Sequence, residues 1–401
     1  MEYQVPSSAL SLLSRLWDAG FEAYLVGGCV RDLLRGKEPA DYDMTTSATP
    51  EEMKTVFASD RVIETGIKHG TLTVLSSGIS YEITTYRVDG TYTDSRHPDA
   101  VSFTRSLTED LARRDFTINA MAYAPGKGIV DPFDGTRDLH DKIIRAVGDP
   151  YRRFSEDALR ILRALRFSSV LGYKIEENTA KAAFALAKTI AKVSSERIRV
   201  ELCKLICGSF AKEILLNYRD ALVCSFEAFG ALGEKYRDAV NHAVSLSEND
   251  AVLRLAAMLS PLGVDKAKRA LLSLRFDNKS IDRVCRVIPH LFEPLPKDDA
   301  ELLRLLSVLD ESGVRDLLVL SEFYFHESVA RLRDRLDAFL REGRCYRIRD
   351  LKINGEDLIA SGFQKGKEIG AILASMLDAV ISGKIENEYS ALLQYAKQMK
   401  K

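Results

Sequence analysis

A chain of 401 residues, 46% hydrophobic and 29% charged, is long enough for two or three domains and has the composition of a globular protein. Its 57 basic and 58 acidic side chains leave a net charge of −1, which excludes a protein that coats itself in nucleic acid through overall positive charge. No apolar run nears the length that crosses a bilayer, no secretory-signal pattern opens the chain, and the six cysteines lack CxxC spacing. The expectation is a cytoplasmic protein without a membrane anchor, zinc site or disulfide framework.

Apolar spacing predicts an opening helix around residues 7 to 19. A run of β character, EAYLVGG (22–28), then ends in Gly27-Gly28 and passes at once into a short helix, CVRDLLRG (29–36). Two glycines let backbone amides approach an anion, and a helix start adds partial positive charge there. Arg31 falls in the first turn of that helix, where a guanidinium can reach phosphate. Next comes Asp41-Tyr42-Asp43. On a strand, residues i and i+2 share a face, so this spacing predicts two carboxylates pointing the same way. Paired hard oxygen donors suit Mg²⁺, and such ions activate a hydroxyl and stabilise a leaving pyrophosphate. Gly-Gly and Asp-x-Asp are each common by chance. Their ordered combination with Arg31-Asp32, inside residues 27–43, is much rarer and points to metal-dependent nucleotidyl transfer.

Further β runs follow: TLTVLSS (71–77), ISYEITTYRV (79–88) and AVSFTR (100–105). The second alternates as a half-buried strand does. Glu82, in its middle, is either an outward-facing strand residue or a third carboxylate beside Asp41 and Asp43. From about residue 150 the period turns helical, with apolar residues at three-and-four spacing in 178–193, 195–207, 250–260, 327–340 and 368–384, and no constant repeat. The fold class expected is α+β, a small mixed head followed by a long all-α portion. Residues 331–352, with eight basic and four acidic side chains, read equally as a solvated helix laced with ion pairs and as a track for phosphates.

Four more motifs follow in order: DGTYTDSRHPDAVSF (89–103), RRDFTINAMAY (113–123), DPFDGTRDL (131–139) and EDALRILRALRF (156–167). Together with the Gly-Gly and Asp-x-Asp stretch they resemble the class II tRNA nucleotidyltransferases, the CCA-adding enzymes of bacteria and eukaryotes, whose sister members are bacterial poly(A) polymerases. The likeness is dense over residues 22–172, recognisable through SSERIRVEL (194–202) and faint at 351–373. It implies a polymerase β-like head (1–148), a helical neck with a nucleobase-reading helix (149–207), a helical body (208–300) and a tail that binds tRNA (301–401). It implies stepwise, template-independent addition of C, C and A to the tRNA 3′ end from CTP and ATP, with Mg²⁺ as cofactor and the acceptor stem as partner. No obligate protein partner is indicated. Carried over by motif, Asp41 and Asp43 would hold metal, with Glu82 beside them. Gly27, Gly28 and Arg31 would meet the triphosphate, and Arg114 and Asp115 would hold ribose or phosphates. Residues 89–103 would form the loop that helps switch from C to A. One departure stands in that loop, where His97 replaces an arginine common in the family.

The resemblance also gives a reason for Asp157, Arg160, Arg163 and Arg166 in one register. Cytosine and adenine each present an exocyclic amine beside a ring nitrogen acceptor, so a carboxylate and a guanidinium together imitate a complementary base. U and G offer a carbonyl where the carboxylate needs a donor. On one continuous helix, Asp157 and Arg160 would be neighbours a turn apart. Arg163 and Arg166 lie progressively farther round, placed for phosphates or for bracing the pair. An Arg-rich solvated face would give the same spacing. The competing readings are an enzyme adding only A, a poly(A) polymerase, a silent tRNA-binding relative and a small-molecule nucleotidyltransferase. The last explains neither the long helical portion nor the EDxxR motif. His69, His140-Asp141 and Trp17 read as a turn residue, helix surface and core.

Overall fold

The computed structural model describes residues 3–64, 66–90 and 101–399. The chain divides into two compact units, Met1–Gly230 and Ala231–Lys401.

The first unit opens with α1 (Ser7–Asp18), which turns Ala9, Leu12, Leu13 and Leu16 inward at the predicted spacing. Then come β1 (Ala23–Val26), α2 (Gly28–Leu34), β2 (Met44–Thr46), α3 (Pro50–Val56), β3 (Arg61–Ile63), β4 (Thr71–Ser76) and β5 (Ile79–Thr85). The ribbon of β6 (Arg87–Asp89) and β7 (Val101–Phe103) is antiparallel. After α4 (Leu107–Ala112), the hairpin of β8 (Ala122–Ala124) and β9 (Gly128–Val130) leads to α5 (Gly135–His140) and β10 (Ile143–Ile144).

Seven strands form one sheet in the order β3-β4-β5-β2-β1-β8-β9, with β2 parallel to β5 and the remaining pairs antiparallel. β1 and β2 are buried along their whole length, which is why they carry no polar alternation. β5 does alternate, with Tyr81 and Ile83 in the core and Glu82 exposed.

The sheet register brings the acidic and glycine motifs together. Leu25 of β1 faces Met44 of β2, so the end of β1 delivers Gly27-Gly28 to the edge where β2 begins. Met44 also pairs with Ile83 of β5, which sets Glu82 beside Asp43. One expectation needs correction: Asp41 and Asp43 precede β2 instead of lying on it. The Val26 N–H still donates to the Asp43 carbonyl at 3.0 Å, and Asp41 and Asp43 are both exposed while Tyr42 is half-buried. Asp43 lies one residue and Asp41 three residues before the strand.

A second correction concerns residues 155–167. They do not form one helix. α6 (Pro150–Glu156), started by an Asp149 cap and Pro150 in its first turn, stops at Asp157, whose backbone is extended (φ −146°, ψ 104°). α7 (Leu159–Leu171) starts afresh, and Asp157 Oδ1 accepts from the Leu159 N–H at 3.1 Å. An aspartate that bonds the backbone two residues ahead favours a helix start over a helix interior. β11 (Lys174–Ile175) pairs parallel with β10, and α8 (Glu177–Leu186), α9 (Ser195–Ile206), α10 (Ala211–Asn217), α11 (Arg219–Ser225) and α12 (Glu227–Ala231) follow. Helices α7 and α9 pack against each other through apolar faces that include Leu162, Leu165, Leu202 and Leu205.

The second unit is helical among its described residues: α13 (Tyr236–Ser245), α14 (Ala251–Leu259), α15 (Val264–Ser273), α16 (Asn278–Val287), α17 (Asp299–Glu342), α18 (Gly355–Ala360), α19 (Lys367–Ile381) and α20 (Tyr389–Met399). α17 is broken at Asp310 (φ 61°) and Phe325. At the first break Asp310 caps the next segment, accepting from the Gly313 N–H and Ser312 Oγ. Arg283 forks between Asp250 and Asp316, tying the start of α14 to α16 and α17. No helix among the described residues is long and apolar enough to cross a membrane.

Candidate active site

Asp43 opens onto a recess of about 150 Å³ whose lining also includes Glu82, Arg87, Arg113 and Arg114. Although Asp43 is exposed at the mouth of the recess, desolvation by the atoms crowded round its carboxyl, followed by the like charges of Asp41 and Glu82, pushes it up to about 6, against the pull of Arg114. Carboxylates that destabilise one another in this way make a site that a divalent cation would relieve, and their hard oxygens are the donors such an ion takes. The described residues hold no ready-made group of three or more metal-ligating side chains.

The arginines are held from beneath. Asp110, fully buried on α4, accepts from Arg113 Nε at 3.0 Å, Arg114 Nη2 at 3.3 Å and Thr45 Oγ1 at 3.2 Å. Burial alone would raise its pKa, but the two guanidinium groups bring it below the usual carboxylate range. Asp110 was not among the residues expected at the site, although Asp at i with Arg at i+3 and i+4 was a legible helical signal.

Gly27 has φ 79°, and a Cβ there would stand 3.2 Å from Arg114 Nη1, so both conformation and space favour glycine. Its N–H donates to the Met121 carbonyl at 3.3 Å, which removes that amide from the predicted anion cradle. Gly28 begins α2. Arg31 is braced by both Asp32 oxygens (3.0 and 2.8 Å) and by Asn119 Oδ1 (2.9 Å), with its guanidinium 5.3 Å from the Phe167 ring centre.

Behind this lies a chain of pairs on the helices. Asn119 Nδ2 donates to Asp115 Oδ1 at 3.2 Å, and Arg163 Nε donates to Asp115 Oδ2 at 2.7 Å. Asp115 is buried and also accepts from the Phe116 N–H. Its bonds in this structure are all to the protein's own groups, and the sequence expectation that it holds ribose or phosphates remains a proposal. Burial would raise its pKa, yet Arg163 above all, then Asn119 and Arg160, hold it down to about 2. Glu201 of α9 lies 3.5 Å from Arg163 Nη1 and 2.7 Å from Arg166 Nε. Arg166 also covers the Phe167 ring at 3.8 Å. Arg163 thus pairs with Asp115 and Glu201, and Arg166 with Glu201.

Asp157 and Arg160 have separate partners. Arg197 of α9 grips the Asp157 carboxylate with Nη1 on Oδ1 (3.3 Å) and Nη2 on Oδ2 (2.7 Å). Arg160 donates through Nη1 to Glu156 Oε2 (2.8 Å) and the Arg153 carbonyl (3.0 Å), and through Nη2 to the Arg113 carbonyl (3.2 Å). Asn119, Glu156, Arg197 and Glu201 all lie inside the quoted motifs but were not singled out. Each bonds a residue distant in sequence or across a helix junction, which periodicity does not report.

His69 closes a turn before β4, His140 and Asp141 are an exposed pair, and Trp17 is half-buried against the head core with its indole N–H on the Ala23 carbonyl. The body of the 89–103 motif, with Arg96-His97-Pro98, lies outside the described residues. Within 331–352, Arg333 pairs with Glu322 and Asp337 with Arg315, both across the break at Phe325. All six cysteines are free.

A mixed sheet whose edge gathers Asp-x-Asp, a glycine turn and an arginine-lined recess defines a nucleotidyltransferase. Comparison with known proteins narrows this. Residues 23–145 match the family model described as "Poly A polymerase head domain", 172–221 the one described as "Probable RNA and SrmB- binding site of polymerase A", and 247–396 a tRNA nucleotidyltransferase domain 2. The last match runs through the tail, where the motif likeness was faint. The CCA-adding enzyme of Leuconostoc mesenteroides subsp. mesenteroides is 39% identical over 97% of this chain and 96% of its own length. That of Lactobacillus delbrueckii subsp. bulgaricus is 38% identical over 98% of both. The crystal structure of the Bacillus stearothermophilus CCA-adding enzyme in complex with CTP superposes with a TM-score of 0.85 at 30% identity, covering 99% of this chain and 98% of that one. The chain belongs to the CCA-adding enzymes, the class II branch of the tRNA nucleotidyltransferase/poly(A) polymerase family.

Proposed function

We infer that this chain completes tRNA 3′ ends, adding C, C and A in steps from CTP and ATP and releasing pyrophosphate. The structural observation that carries the reading is the recess itself, where crowded carboxylates (Asp43, Glu82 and nearby Asp41) meet a set of arginines anchored by one buried acid. End-to-end likeness to CCA-adding enzymes favours complete addition over A-only addition or poly(A) synthesis.

The family works with a divalent metal ion, and Mg²⁺ is the ion we propose, held by Asp41 and Asp43 with Glu82 alongside. Bound there, it would activate the tRNA 3′-hydroxyl and offset charge on the leaving pyrophosphate. The protein's own groups do the rest. Arg31 and Arg114 would neutralise the triphosphate, and Gly28, without a side chain at the start of α2, would leave room for it. Asp157 and Arg160 read the base, while Asp115, Arg163, Glu201 and Arg166 keep the reading helix in place. The finer division of labour, head 1–148, neck 149–207, body 208–300 and tail 301–401 with the tail on tRNA, belongs to the same proposal, as does a cytoplasmic site of action.

The test uses purified protein, Mg²⁺ and three tRNA transcripts lacking CCA, CA or A, each given CTP, ATP or both. Completion of all three is expected. Extension only of the transcript ending in CC, by ATP alone, would replace this reading with an A-adding enzyme.

A further inference from the structure

A base-reading carboxylate has to present a chosen oxygen in a chosen direction, and the hydrogen bonds around Asp157 show what sets it. An ionised carboxylate offers about four acceptor positions, two on each oxygen. Oδ1 has both occupied, by the Leu159 N–H at 3.1 Å and by Arg197 Nη1 at 3.3 Å. Oδ2 has one occupied, by Arg197 Nη2 at 2.7 Å. Among the described residues this leaves a single acceptor position, on Oδ2. Arg160 undergoes the same depletion. Of its five N–H donors, both on Nη1 and one on Nη2 are taken by Glu156 and two backbone carbonyls, which leaves Nε–H and one Nη2–H. What remains is one acceptor on Asp157 and a small donor edge on Arg160. Cytosine and adenine complement that pattern with their exocyclic amine on the acceptor and their ring nitrogen on the donor edge. Uracil and guanine put a carbonyl at the amine position, so they are refused only while the acceptor is held in place.

We propose that Arg197 is a specificity-determining positioning residue: its two-pronged grip from α9 fixes the plane of the Asp157 carboxylate and leaves only Oδ2 to accept the exocyclic amine of the incoming nucleotide. This rests on the reading that Asp157 meets the base. A guanidinium suits the task because its planar fork binds both oxygens at once, whereas an ammonium binds as a point charge and leaves the carboxylate free to turn. Asp157 lies in a nearly closed place, with a side chain 14% exposed, and Arg197 is 25% exposed. Water therefore does little to replace a lost prong. An Asp157 carboxylate free to rotate would accept from either oxygen, in directions where a water or a shifted base could satisfy it. Rejection of U and G then weakens.

The test compares Arg197→Lys, Arg197→Gln and Asp157→Asn in the full chain, measuring kcat/KM for CTP and UTP on tRNA lacking CCA, and for ATP and GTP on tRNA ending in CC. Thermal unfolding is followed in parallel. Arg197→Lys keeps the charge and is expected to keep the melting temperature, while the CTP-over-UTP and ATP-over-GTP ratios both fall about tenfold, since one carboxylate reads both bases. Arg197→Gln should move both ratios in the same direction and farther. A purely structural role would lower all four rates together and leave the ratios where they were, and that outcome overturns the proposal. Ratios that hold in the Arg197 variants but fall in Asp157→Asn reject Arg197 alone and leave the base-reading role standing. Ratios that hold in all three variants remove that role, and the Arg197 assignment with it.

Discussion

Two charged regions of the first unit are built on opposite principles. At the sheet edge, Asp43 stands among Asp41 and Glu82 with its pKa pushed up to about 6, so its negative charge is poorly compensated by the protein. On the helices, almost every charge has a partner: Asp157 with Arg197, Arg160 with Glu156, Arg163 with Asp115, Arg166 with Glu201. Asp115 there is held down to about 2. The first region stores a deficit that a bound cation makes good. The second uses up its own charges on geometry and leaves only a few hydrogen-bonding positions for a ligand to find. Chemistry and selection among nucleotides thus ask different things of the same residue types.

The hardest way to break the comparison is to remove the deficit. Asp43→Ala and Asp41→Ala should each lower nucleotide transfer at least about 10³-fold, or about 4 kcal/mol in barrier. Binding of tRNA, measured by gel shift, should stay within a few-fold. Near-normal turnover by either variant would take the acidic pair out of the reaction.

The helical region should answer in stability instead. Asp115→Asn leaves Arg163, whose side chain is one-third exposed, with Glu201 alone, and the loss of this half-screened pair should cost about 2 kcal/mol, read by urea unfolding. Because the folded-state pKa of Asp115 lies below its unfolded value, its contribution is fully present above about pH 4 and fades as pH falls toward about 2. The gap between wild type and variant should therefore be wide at pH 7 and narrow at pH 3. An equal gap at both would assign the loss to something other than the ion pair.

How much of this the sequence could show follows from the same contrast. Residues that act through spacing along a strand or turn were legible: Gly27-Gly28, Asp41 and Asp43 in order, and the alternation that turns Glu82 outward. The register that sets Glu82 beside Asp43 was not, because strand order is fixed by tertiary pairing between β2 and β5. On the helices, periodicity carried the reading past Asp157 as though one helix continued. The backbone stops there because Asp157 caps the helix that follows. Nor does any local rule tie Arg197 to Asp157 or Glu201 to Arg166. Those pairs exist because α7 and α9 pack, so the bracing half of the site was invisible to a reading made one segment at a time.

Selection should respond more mildly than catalysis or stability. Asp157→Ala is expected to relax rejection of UTP by about 10- to 100-fold, or about 1–3 kcal/mol, while overall tRNA binding changes little. Rejection as strict as in the wild type would sever the helical region from base choice and leave it a scaffold only.

The smallest effect has the opposite sign to the first, at the same residue. A carboxyl whose folded-state pKa is raised is one whose charge disfavours the folded state, and that cost is absent below about pH 4, grows as pH rises toward about 6 and is complete above it. Asp43→Asn, which keeps shape and removes charge, should therefore stabilise the metal-free protein at pH 7.5. The carboxyl opens to solvent, where screening shrinks such effects, so the gain expected is about 1 kcal/mol, a rise in melting temperature of roughly 2–4 °C. At pH 4 the two proteins should melt together. Adding millimolar Mg²⁺ at pH 7.5 should raise the wild type and not the variant, closing the gap from the other side. A variant that is inactive yet more stable than its parent would show that the sheet edge gives up folding stability to keep its charge available. A variant less stable than wild type at pH 7.5 would mean that Asp43 is compensated after all, and the contrast between the two regions would disappear.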